Sequence, residues 1–343
     1  MRILFISPYV PSRIRVRPYN WIKYLSNLGH QVTLLTLVAG PDDIAALPEM
    51  EATCEQVRIA RLPRWRPVWN CLYALPGHDP LQLAYSRLPA MDQLIRQALA
   101  EAPFDVAHIE HLRAACFEPV LQGLPVIYDA VDSISLLFER TLQTSPRRSS
   151  RLMARLDLKR TRAFERQTLD RFSRVLVTSP EDADQFRHLA PSKANQHKLV
   201  TLPNGVDLEY FAPNGYTRQP NVLLFSGKMS YHANVATALY LHQEILPLIW
   251  QQQPDVQLWI VGKDPVGPIR AMATDSRITV TGFLPDIRPY LCRATVSVSP
   301  LRYSVGIQNK ILEAMACGLP VITTSQGCKA LETQAGRHLL VAD

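Results

Sequence analysis

The chain has 343 residues, with 47% hydrophobic and 20% charged side chains and a formal net charge of +7. This balance excludes an intrinsically disordered protein and allows two domains with separate cores. No apolar run approaches the roughly 18 residues of a membrane-spanning helix, and the N-terminus lacks the layout of a signal peptide. We therefore expect a cytoplasmic protein whose basic surface suits an anionic partner, such as a nucleotide or a lipid head-group surface.

The first part of the chain alternates apolar runs with helical patterns, which is typical of βαβ units. A fully apolar run at 2–7 predicts a buried parallel strand. Residues 61–90 are predicted to be irregular because they are rich in Pro, Arg and Trp. The other predicted elements are helices at 19–29, 90–101 and within 136–172, and strands at 31–38, 104–110, 125–131, 174–179 and 199–207.

The same alternation starts again at residue 221. The predicted strands are 221–227, 256–262, 278–283, 295–300 and 320–324, separated by helices at 233–252, 266–273 and 286–293 and by a helix within 306–322. Two such runs predict two doubly wound α/β domains, with a first domain at 1–207, a linker at 208–220 and a second domain at 221–343. Ligands of such sheets bind beyond the carboxyl ends of the strands, and two facing domains leave a cleft between them.

Several common site motifs are missing from the sequence. No G-x-G-x-x-G follows the first strand, which argues against a nicotinamide or flavin dinucleotide enzyme, and no P-loop pattern occurs. The six cysteines form no C-x-x-C pair and complete no zinc spacing with histidines, so we expect reduced thiols and no metal site. No base-stacking or groove-reading module for nucleic acid is present.

A glycine loop and the helix that follows it form one candidate site in the second domain. Gly306 opens the loop, and free N–H groups at a helix start attract anions such as a diphosphate. Lys310 adds a positive charge there, and Glu313 lies on the same helix face, where a carboxylate can accept two ribose hydroxyls. A salt-bridged helix start from Lys310 to Glu313 explains the same spacing without a ligand.

A second loop between a strand and a helix covers 227–235. Lys228 and His232 can reach a phosphate, and Asn234 suits a helix N-cap. The alternative is a solvated lysine and a surface histidine.

Two strand ends of the first domain carry titratable side chains. His108, Glu110 and His111 end the strand at 104–110, with His111 as the better candidate for binding an acceptor or a transition-state charge and His108 as a satisfied core histidine. Asp129 and Asp132 end a neighbouring strand, and one of them is a candidate cap for the helix that follows.

Residues 147–174 contain ten basic and three acidic side chains. A solvated helix face is one interpretation, and a face that lies on an anionic membrane is the other. Two Trp among Arg residues at 61–69 also suit a lipid interface.

Taken together, these segments resemble glycosyltransferases of the GT-B type, family 4, over nearly the whole chain. The segments that carry the resemblance are 26–36, 104–111, 202–213, 225–235, 280–291 and 306–322. The resemblance implies two Rossmann-like domains that face each other across a cleft, a nucleotide-sugar donor, and retaining transfer without metal or cofactor. Within the family, the sequence resembles most an exopolysaccharide-type subgroup, because it has an Asn-Lys pair at Asn309 and Lys310.

The resemblance also assigns roles to residues. Glu313 would hold the ribose, Lys228 would hold the diphosphate, and His111 would approach the donor sugar from the first domain. The implied catalytic residues are His111, Asp132, Lys228 and Glu313. The implied donor contacts are Arg15, Arg17, Lys228, His232, Asn234, Phe283, Gly306, Ile307, Asn309, Lys310 and Glu313.

The sequence departs from the family at three points. Val305 stands where the family has the first of two glutamates eight residues apart, which leaves the donor sugar open. Arg13, Arg15 and Arg17 stand where many members have a Gly-Gly pair, so Arg15 or Arg17 is expected to replace a backbone contact with the diphosphate. The family resemblance also implies a last helix that returns to the first domain and that this sequence lacks, so we expect either a fragment or an unusually short member.

The implied function is transfer of a sugar to a glycan or lipid-linked acceptor in cell-surface polysaccharide assembly, peripheral to the inner face of the membrane. One alternative is a nucleotide-sugar epimerase, although the second domain offers few acid and base carboxylates for it. The other is an inactive, truncated copy that binds only nucleotide or membrane.

Overall fold

The computed structural model describes residues 1–144, 148–213, 215–302 and 306–343. The chain forms two compact units, Met1–Pro203 and Asn204–Asp343. Each unit has its own parallel sheet with helices, so the predicted α/β doubly wound class is confirmed.

The first unit is built on a seven-stranded sheet in which all paired strands run parallel. The strands are β1 (Arg2–Ser7), β2 (Gln31–Val38), β3 (Gln56–Arg61), β4 (Val106–Glu110), β5 (Val126–Val131), β6 (Arg174–Val177) and β7 (Leu199–Thr201). Their order is β3-β2-β1-β4-β5-β6-β7, so the winding reverses between β1 and β4. Such a switch point is where open α/β sheets bind ligands.

Helices connect these strands. They are α1 (Val16–Asn27), α2 (Pro41–Thr53), α3 (Arg66–Ala74), α4 (Leu81–Tyr85), α5 (Pro89–Glu101), α6 (His111–Ala114), α7 (Ile134–Thr144), α8 (Arg148–Arg171) and α9 (Pro180–Leu189). Short 3₁₀ turns cover Ala115–Val120 and Gln196–Lys198. The prediction that residues 61–90 are irregular is wrong, because α3 and α4 lie there and each has Pro near its start, where a missing N–H costs little.

The core of the first unit explains why its apolar runs are strands. In β1 and β2, all but the first residue are buried, as expected for parallel strands covered on both faces. The β3 strand lies at the sheet edge and is only partly buried. Its sequence alternates apolar and polar residues, and no strand was predicted there.

The second unit repeats the design with six strands, and every described pair is parallel. The strands are β8 (Val222–Ser226), β9 (Gln257–Val261), β10 (Ile278–Val280), β11 (Val296–Ser299), β12 (Val321–Thr323) and β13 (Leu340–Val341). The order is β10-β9-β8-β11-β12-β13, which puts the switch point between β8 and β11.

The helices of the second unit are short. They are α10 (His232–Tyr240), α11 (Leu246–Gln252), α12 (Gly267–Ala271), α13 (Arg288–Arg293), α14 (Asn309–Ala316) and α15 (Ser325–Cys328). A π turn at Leu241–Ile245 joins α10 to α11, so the helix predicted at 233–252 is present with one wider turn inside it. A 3₁₀ turn covers Met272–Thr274.

The segment predicted as a linker packs within the second unit. The Gln219 N–H donates to the Arg293 carbonyl at 2.7 Å, and the Arg288 guanidinium donates to the Tyr210 carbonyl at 3.3 Å. The compact second unit accordingly begins at Asn204.

The six cysteines are free thiols. Among the helices of the described residues, none combines the length and apolar composition that crossing a membrane requires.

Candidate active site

Two strand-end glycines shape the first loop of the second unit. Gly227 follows β8 with φ of 145°, and Gly262 follows β9 with φ of 143°. A Cβ on Gly262 would lie 1.9 Å from the Gly227 carbonyl oxygen, so only glycine allows these two backbones to pack together. This contact sets the path of the loop that leads to α10.

Asn234 joins this loop to α14. Its side-chain amide donates to the Lys228 carbonyl at 2.9 Å, and its Oδ1 accepts from the Lys310 ammonium at 2.6 Å. The prediction of Asn234 as an N-cap is wrong, because α10 already starts at His232 and Tyr231 is its N-cap residue. The buried amide instead orders a loop and a lysine at once.

Lys310 lies in an unusually apolar setting for a lysine. Its ammonium is 4.6 Å from the centre of the Phe225 ring, and burial lowers its pKa to about 8 against the opposing effect of Glu313. Within the described parts of the chain, Lys310 forms its hydrogen bond with Asn234 and no ion pair with Glu313. The salt-bridged helix start is therefore not what the structure contains.

Glu313 lies one turn further along α14. Burial raises its pKa to about 7, and the attraction of Lys310 opposes that rise only in part. The two side chains thus lie close enough to influence each other. Burial nevertheless shifts the pKa of each one in the direction that favours its neutral form. An anion beside Lys310 and hydroxyl groups beside Glu313 would stabilise the charged forms of both.

The remaining predicted residues of the first loop are more exposed. Lys228 is exposed and its ammonium is 3.8 Å from the Asp264 carboxylate, a separation that gives a weak surface ion pair. His232 begins α10 with its ring 4.5 Å from that of Tyr231. Phe283 follows β10 with 64% of its surface exposed, so its ring is available for stacking.

The glycine loop before α14 is described from Gly306 onward. Gly306 has φ of 65°, Ile307 is half-buried, and Asn309 is the first residue of α14. The Asn309 Oδ1 accepts from the Asn204 amide at 3.3 Å. Val305 lies outside the described residues.

Adjacent strands bring these pieces together. Asn234 lies beyond the carboxyl end of β8, and Lys310 lies beyond the carboxyl end of β11. Since β8 and β11 are neighbours at the switch point, the hydrogen bond between the two side chains marks the expected ligand position of this sheet.

Arg17 and Arg15, predicted as diphosphate contacts, are bound to carboxylates of the first unit. The buried Arg17 donates from Nε to Asp129 at 2.7 Å and from Nη1 to the Leu202 carbonyl at 2.9 Å. Arg15 forms an ion pair with Asp43 at 2.5 Å. Both guanidinium groups therefore stabilise the first unit itself.

His108, Glu110 and Asp129 form a buried cluster around this arginine. His108 stacks on Phe5 at 4.3 Å, and burial lowers its pKa to about 4. Burial raises the pKa of Glu110, whose Oε2 lies 3.6 Å from His108 Nε2. Neither of these two atoms has a hydrogen-bond partner among the described residues, so the prediction of a satisfied core histidine is only half right.

The same three side chains have atoms suited to a metal ion, all within 4.8 Å of one another. Asp129 is already neutralised by Arg17 and also accepts from the Trp21 indole at 3.1 Å. We therefore interpret the cluster as an ion-pair centre of the first unit rather than as a metal site.

His111 lies immediately after β4 in a strained backbone conformation. Its φ is 66°, in the left-handed region that costs a non-glycine residue about 1–3 kcal/mol. Its Nδ1 accepts from the Arg113 N–H at 3.2 Å, which assigns the proton of the neutral ring to Nε2. Burial and Arg113 lower its pKa to about 4, so the ring is a neutral hydrogen-bond donor at physiological pH.

Asp132 follows a second strained residue, Val131, whose φ is 67° at an irregular end of β5. Burial raises the pKa of Asp132 to about 6, and its carboxylate accepts from the Thr178 hydroxyl at 2.9 Å. Neither Asp129 nor Asp132 caps α7. Ser133, directly before α7, accepts from the Leu136 N–H at 3.3 Å through its Oγ, and Glu165 of α8 accepts from the Ser135 N–H at 3.1 Å.

Sequence inspection missed two contributors. Gly262 directly follows β9 just as Gly227 directly follows β8. A glycine at the same position after two strands is a sequence signal that could have identified Gly262. Tyr9 follows β1 with its ring 6.5 Å from that of His111, and a single tyrosine after a strand carries no such signal.

Solved structures show which fold this is. Anabaena HepE in complex with UDP and glucose superposes with a TM-score of 0.67 at 15% identity, covering 100% of this chain and 85% of that chain. WaaG, a glycosyltransferase involved in lipopolysaccharide biosynthesis, superposes with a TM-score of 0.56 at 18% identity, covering 95% and 81%. The two parallel-sheet Rossmann-like units thus have the GT-B fold.

Family comparison gives the same class. The model described as "Glycosyl transferase 4-like domain" matches residues 14–205, and "Glycosyl transferases group 1" matches residues 220–343. The chain belongs to the group 1, family 4 glycosyltransferases. It is 25% identical over 342 residues to a phosphatidyl-myo-inositol mannosyltransferase of Mycobacterium tuberculosis, covering 94% of this chain and 78% of the relative.

Proposed function

We propose that this enzyme is a retaining, metal-independent hexosyltransferase that moves a sugar from a nucleotide donor to a glycan or lipid-linked acceptor. The observation that carries the proposal is the Asn234–Lys310 hydrogen bond at the switch point of the second sheet, with Glu313 one turn away. The relative in Mycobacterium tuberculosis acts on a phosphatidyl-myo-inositol, and HepE was solved with UDP and glucose, which supports these substrate classes.

The chemistry follows from the charges of the site. Breaking the bond between sugar and diphosphate develops negative charge on the leaving group, and preorganised positive groups stabilise that charge. Lys310 and Lys228 supply the cations, and the N–H groups at the start of α14 supply dipoles. The Glu313 carboxylate accepts hydrogen bonds from the ribose hydroxyls and so orients the nucleoside.

The first unit supplies the acceptor side of the proposal. The neutral His111 ring donates from Nε2 to a sugar hydroxyl, and Asp132 is a carboxylate whose pKa of about 6 suits proton exchange near neutrality. Cell-surface polysaccharide assembly at the inner face of an anionic membrane is the setting that we propose for the reaction.

The test begins with donor binding. UDP-glucose and GDP-mannose are screened by thermal shift, because a ligand that binds only the folded state raises its stability. We expect a Tm increase with at least one donor that is lost in Glu313→Gln and kept in Glu332→Gln, an exposed glutamate of the same unit. Equal donor binding by wild type and Glu313→Gln would contradict the site.

Turnover is tested with lipid-linked acceptors from a bacterial lipid extract. Release of free nucleoside diphosphate identifies transfer, whereas an epimerase would return a changed sugar still joined to its nucleotide. Product NMR then reports the anomeric configuration, and an inverted configuration would overturn the retaining assignment. Turnover unchanged by EDTA is the result expected without a required metal.

A further inference from the structure

The helix α3 turns its apolar face toward solvent. The five apolar residues of this face follow one another at intervals of three, one, three and one positions, which places them on one side of a helix. This α3 face consists of Trp65, which directly precedes the helix, and of Val68, Trp69, Leu72 and Tyr73. The exposed fractions of Trp69 and Tyr73 are 51% and 78%, so the face lacks a covering element among the described residues.

Such a face is unusual for a helix of a folded domain, whose apolar side normally packs on the core. Two Trp and one Tyr dominate it, and these amphipathic rings favour the boundary between lipid head groups and acyl chains. The Arg66 guanidinium lies 5.8 Å from the centre of the Trp65 ring. No acidic residue occurs between Arg61 and His78.

The helix α8 carries a basic row on its exposed side. The row consists of Arg148, Arg151, Arg155 and Lys159, whose spacings of three and four residues keep them on one stripe. None of the four forms an ion pair with another described residue. Arg147, which belongs to the same basic segment of the sequence, lies outside the described residues.

The acidic residues of α8 do not balance this row. Asp157 is buried and accepts from the Leu81 N–H at 2.8 Å, and Glu165 is buried at the start of α7. Asp170, near the far end of α8, accepts from Asn195 at 2.7 Å. Because the acids face inward or lie far along the helix, the exposed start of α8 presents positive charge alone.

Contacts connect the two surfaces. The Arg160 side chain donates to the Leu75 carbonyl, directly after α3. Leu152 and Leu156 are exposed and lie eight and four residues before Arg160, on the same line of α8. An apolar line on α8 therefore runs from beside the basic row to the end of α3.

We propose that the α3 face and the α8 basic row together dock this enzyme on an anionic lipid bilayer. The aromatic side chains of α3 enter the head-group region, and the basic row of α8 binds the lipid phosphates. Because the row is positively charged, we expect the enzyme to bind an anionic bilayer more tightly than a bilayer without net charge. The inference adds a membrane-binding surface to the proposed function, and its test needs neither donor nor acceptor.

The test is cosedimentation with vesicles of phosphatidylglycerol and phosphatidylcholine, compared with vesicles of phosphatidylcholine alone. We expect the full chain to bind the anionic vesicles and to lose binding at high salt, since screening weakens the electrostatic attraction. Arg151→Glu with Arg155→Glu should lower partitioning by more than tenfold, because each basic residue near such a surface contributes about fivefold. Trp69→Ser with Tyr73→Ser should lower it by about tenfold through lost ring insertion.

Matched controls alter exposed residues elsewhere. Leu248→Ser and Lys193→Glu should bind the anionic vesicles like wild type. Failure of wild type to bind, or unchanged binding by both double variants, would overturn the proposal. If wild type binds no vesicles and forms a dimer in size-exclusion chromatography, and Trp69→Ser with Tyr73→Ser makes it a monomer, the face would instead be a contact with a second copy. Thermal shifts with UDP and GDP should be equal in all variants, which separates this surface from the donor site.

Discussion

The Lys310 ammonium and the Asn234 side chain, 2.6 Å apart, join the helices that follow two neighbouring strands of the second sheet. Asn234 also holds the Lys228 carbonyl, so one buried amide links both lysines that we assign to the diphosphate. Replacing Asn234 therefore tests the arrangement without removing any charge.

We expect Asn234→Ala to weaken donor binding by about tenfold to a hundredfold, since one hydrogen bond to a charged group contributes roughly 1.5–3 kcal/mol. Asn234→Asp should weaken binding further, because a carboxylate beside Lys310 competes with the diphosphate. Calorimetric titration with the donor measures both, and Asn195→Ala, at a half-buried asparagine of the first unit that donates to Asp170, is the control. Affinity that rises in Asn234→Asp would contradict a diphosphate at Lys310.

The pKa values of Glu313 and Lys310 predict the pH dependence of kcat/KM. Ionised Glu313 requires a pH above about 7, and protonated Lys310 requires a pH below about 8. We expect a narrow bell with its maximum between these values. Lys310→Arg should remove the alkaline limb, because an arginine stays protonated over this range, and a flat profile in wild type would contradict the assignment.

The Gly227–Gly262 contact predicts a large difference between similar substitutions. Gly262→Ala places a Cβ 1.9 Å from a backbone oxygen at a positive φ, and we expect a loss of about 3 kcal/mol or more in unfolding free energy. Gly267→Ala is the matched control, because nothing lies within 4 Å of its Cβ and its φ is ordinary. Urea unfolding measures both, and similar midpoints would show that the close backbone contact is absent.

The buried pair of Arg17 and Asp129 predicts strong destabilisation when one partner is removed. Arg17→Met leaves a buried carboxylate without its cation, which costs about 3–5 kcal/mol. The double variant Arg17→Met, Asp129→Asn should cost less than the sum of the two single changes. Arg187→Met breaks an exposed pair with Asp184 and should change stability by less than about 1 kcal/mol. An additive double variant would mean that the two side chains do not interact.

The apolar runs were sufficient to predict most strands, since a strand buried on both faces must be apolar throughout. The helix α3 was missed for the opposite reason: its apolar residues face solvent, so its Pro, Arg and Trp content suggested an irregular loop. The edge strand β3 was missed because only part of it is buried.

For the candidate site, the sequence indicated Lys310 and Glu313 but not their relationship. Helical spacing allowed a salt bridge as one of two interpretations, whereas the partner of Lys310 is Asn234, which is 76 residues away in the chain. The same limit applies to Arg17, which the family resemblance assigned to the diphosphate and whose contact with Asp129, 112 residues away, local spacing did not indicate. Long-range partners of this kind depend on sheet order, which local spacing does not encode.

The left-handed backbones at His111 and Val131 reverse the usual ranking of substitutions. Within a strand, glycine is normally a more damaging replacement than alanine because of its conformational entropy. At these two strand ends the alanine variant keeps the strain and the glycine variant releases it. A full substitution scan of stability should therefore identify both positions by glycine being the mildest change, even though neither native residue is a glycine.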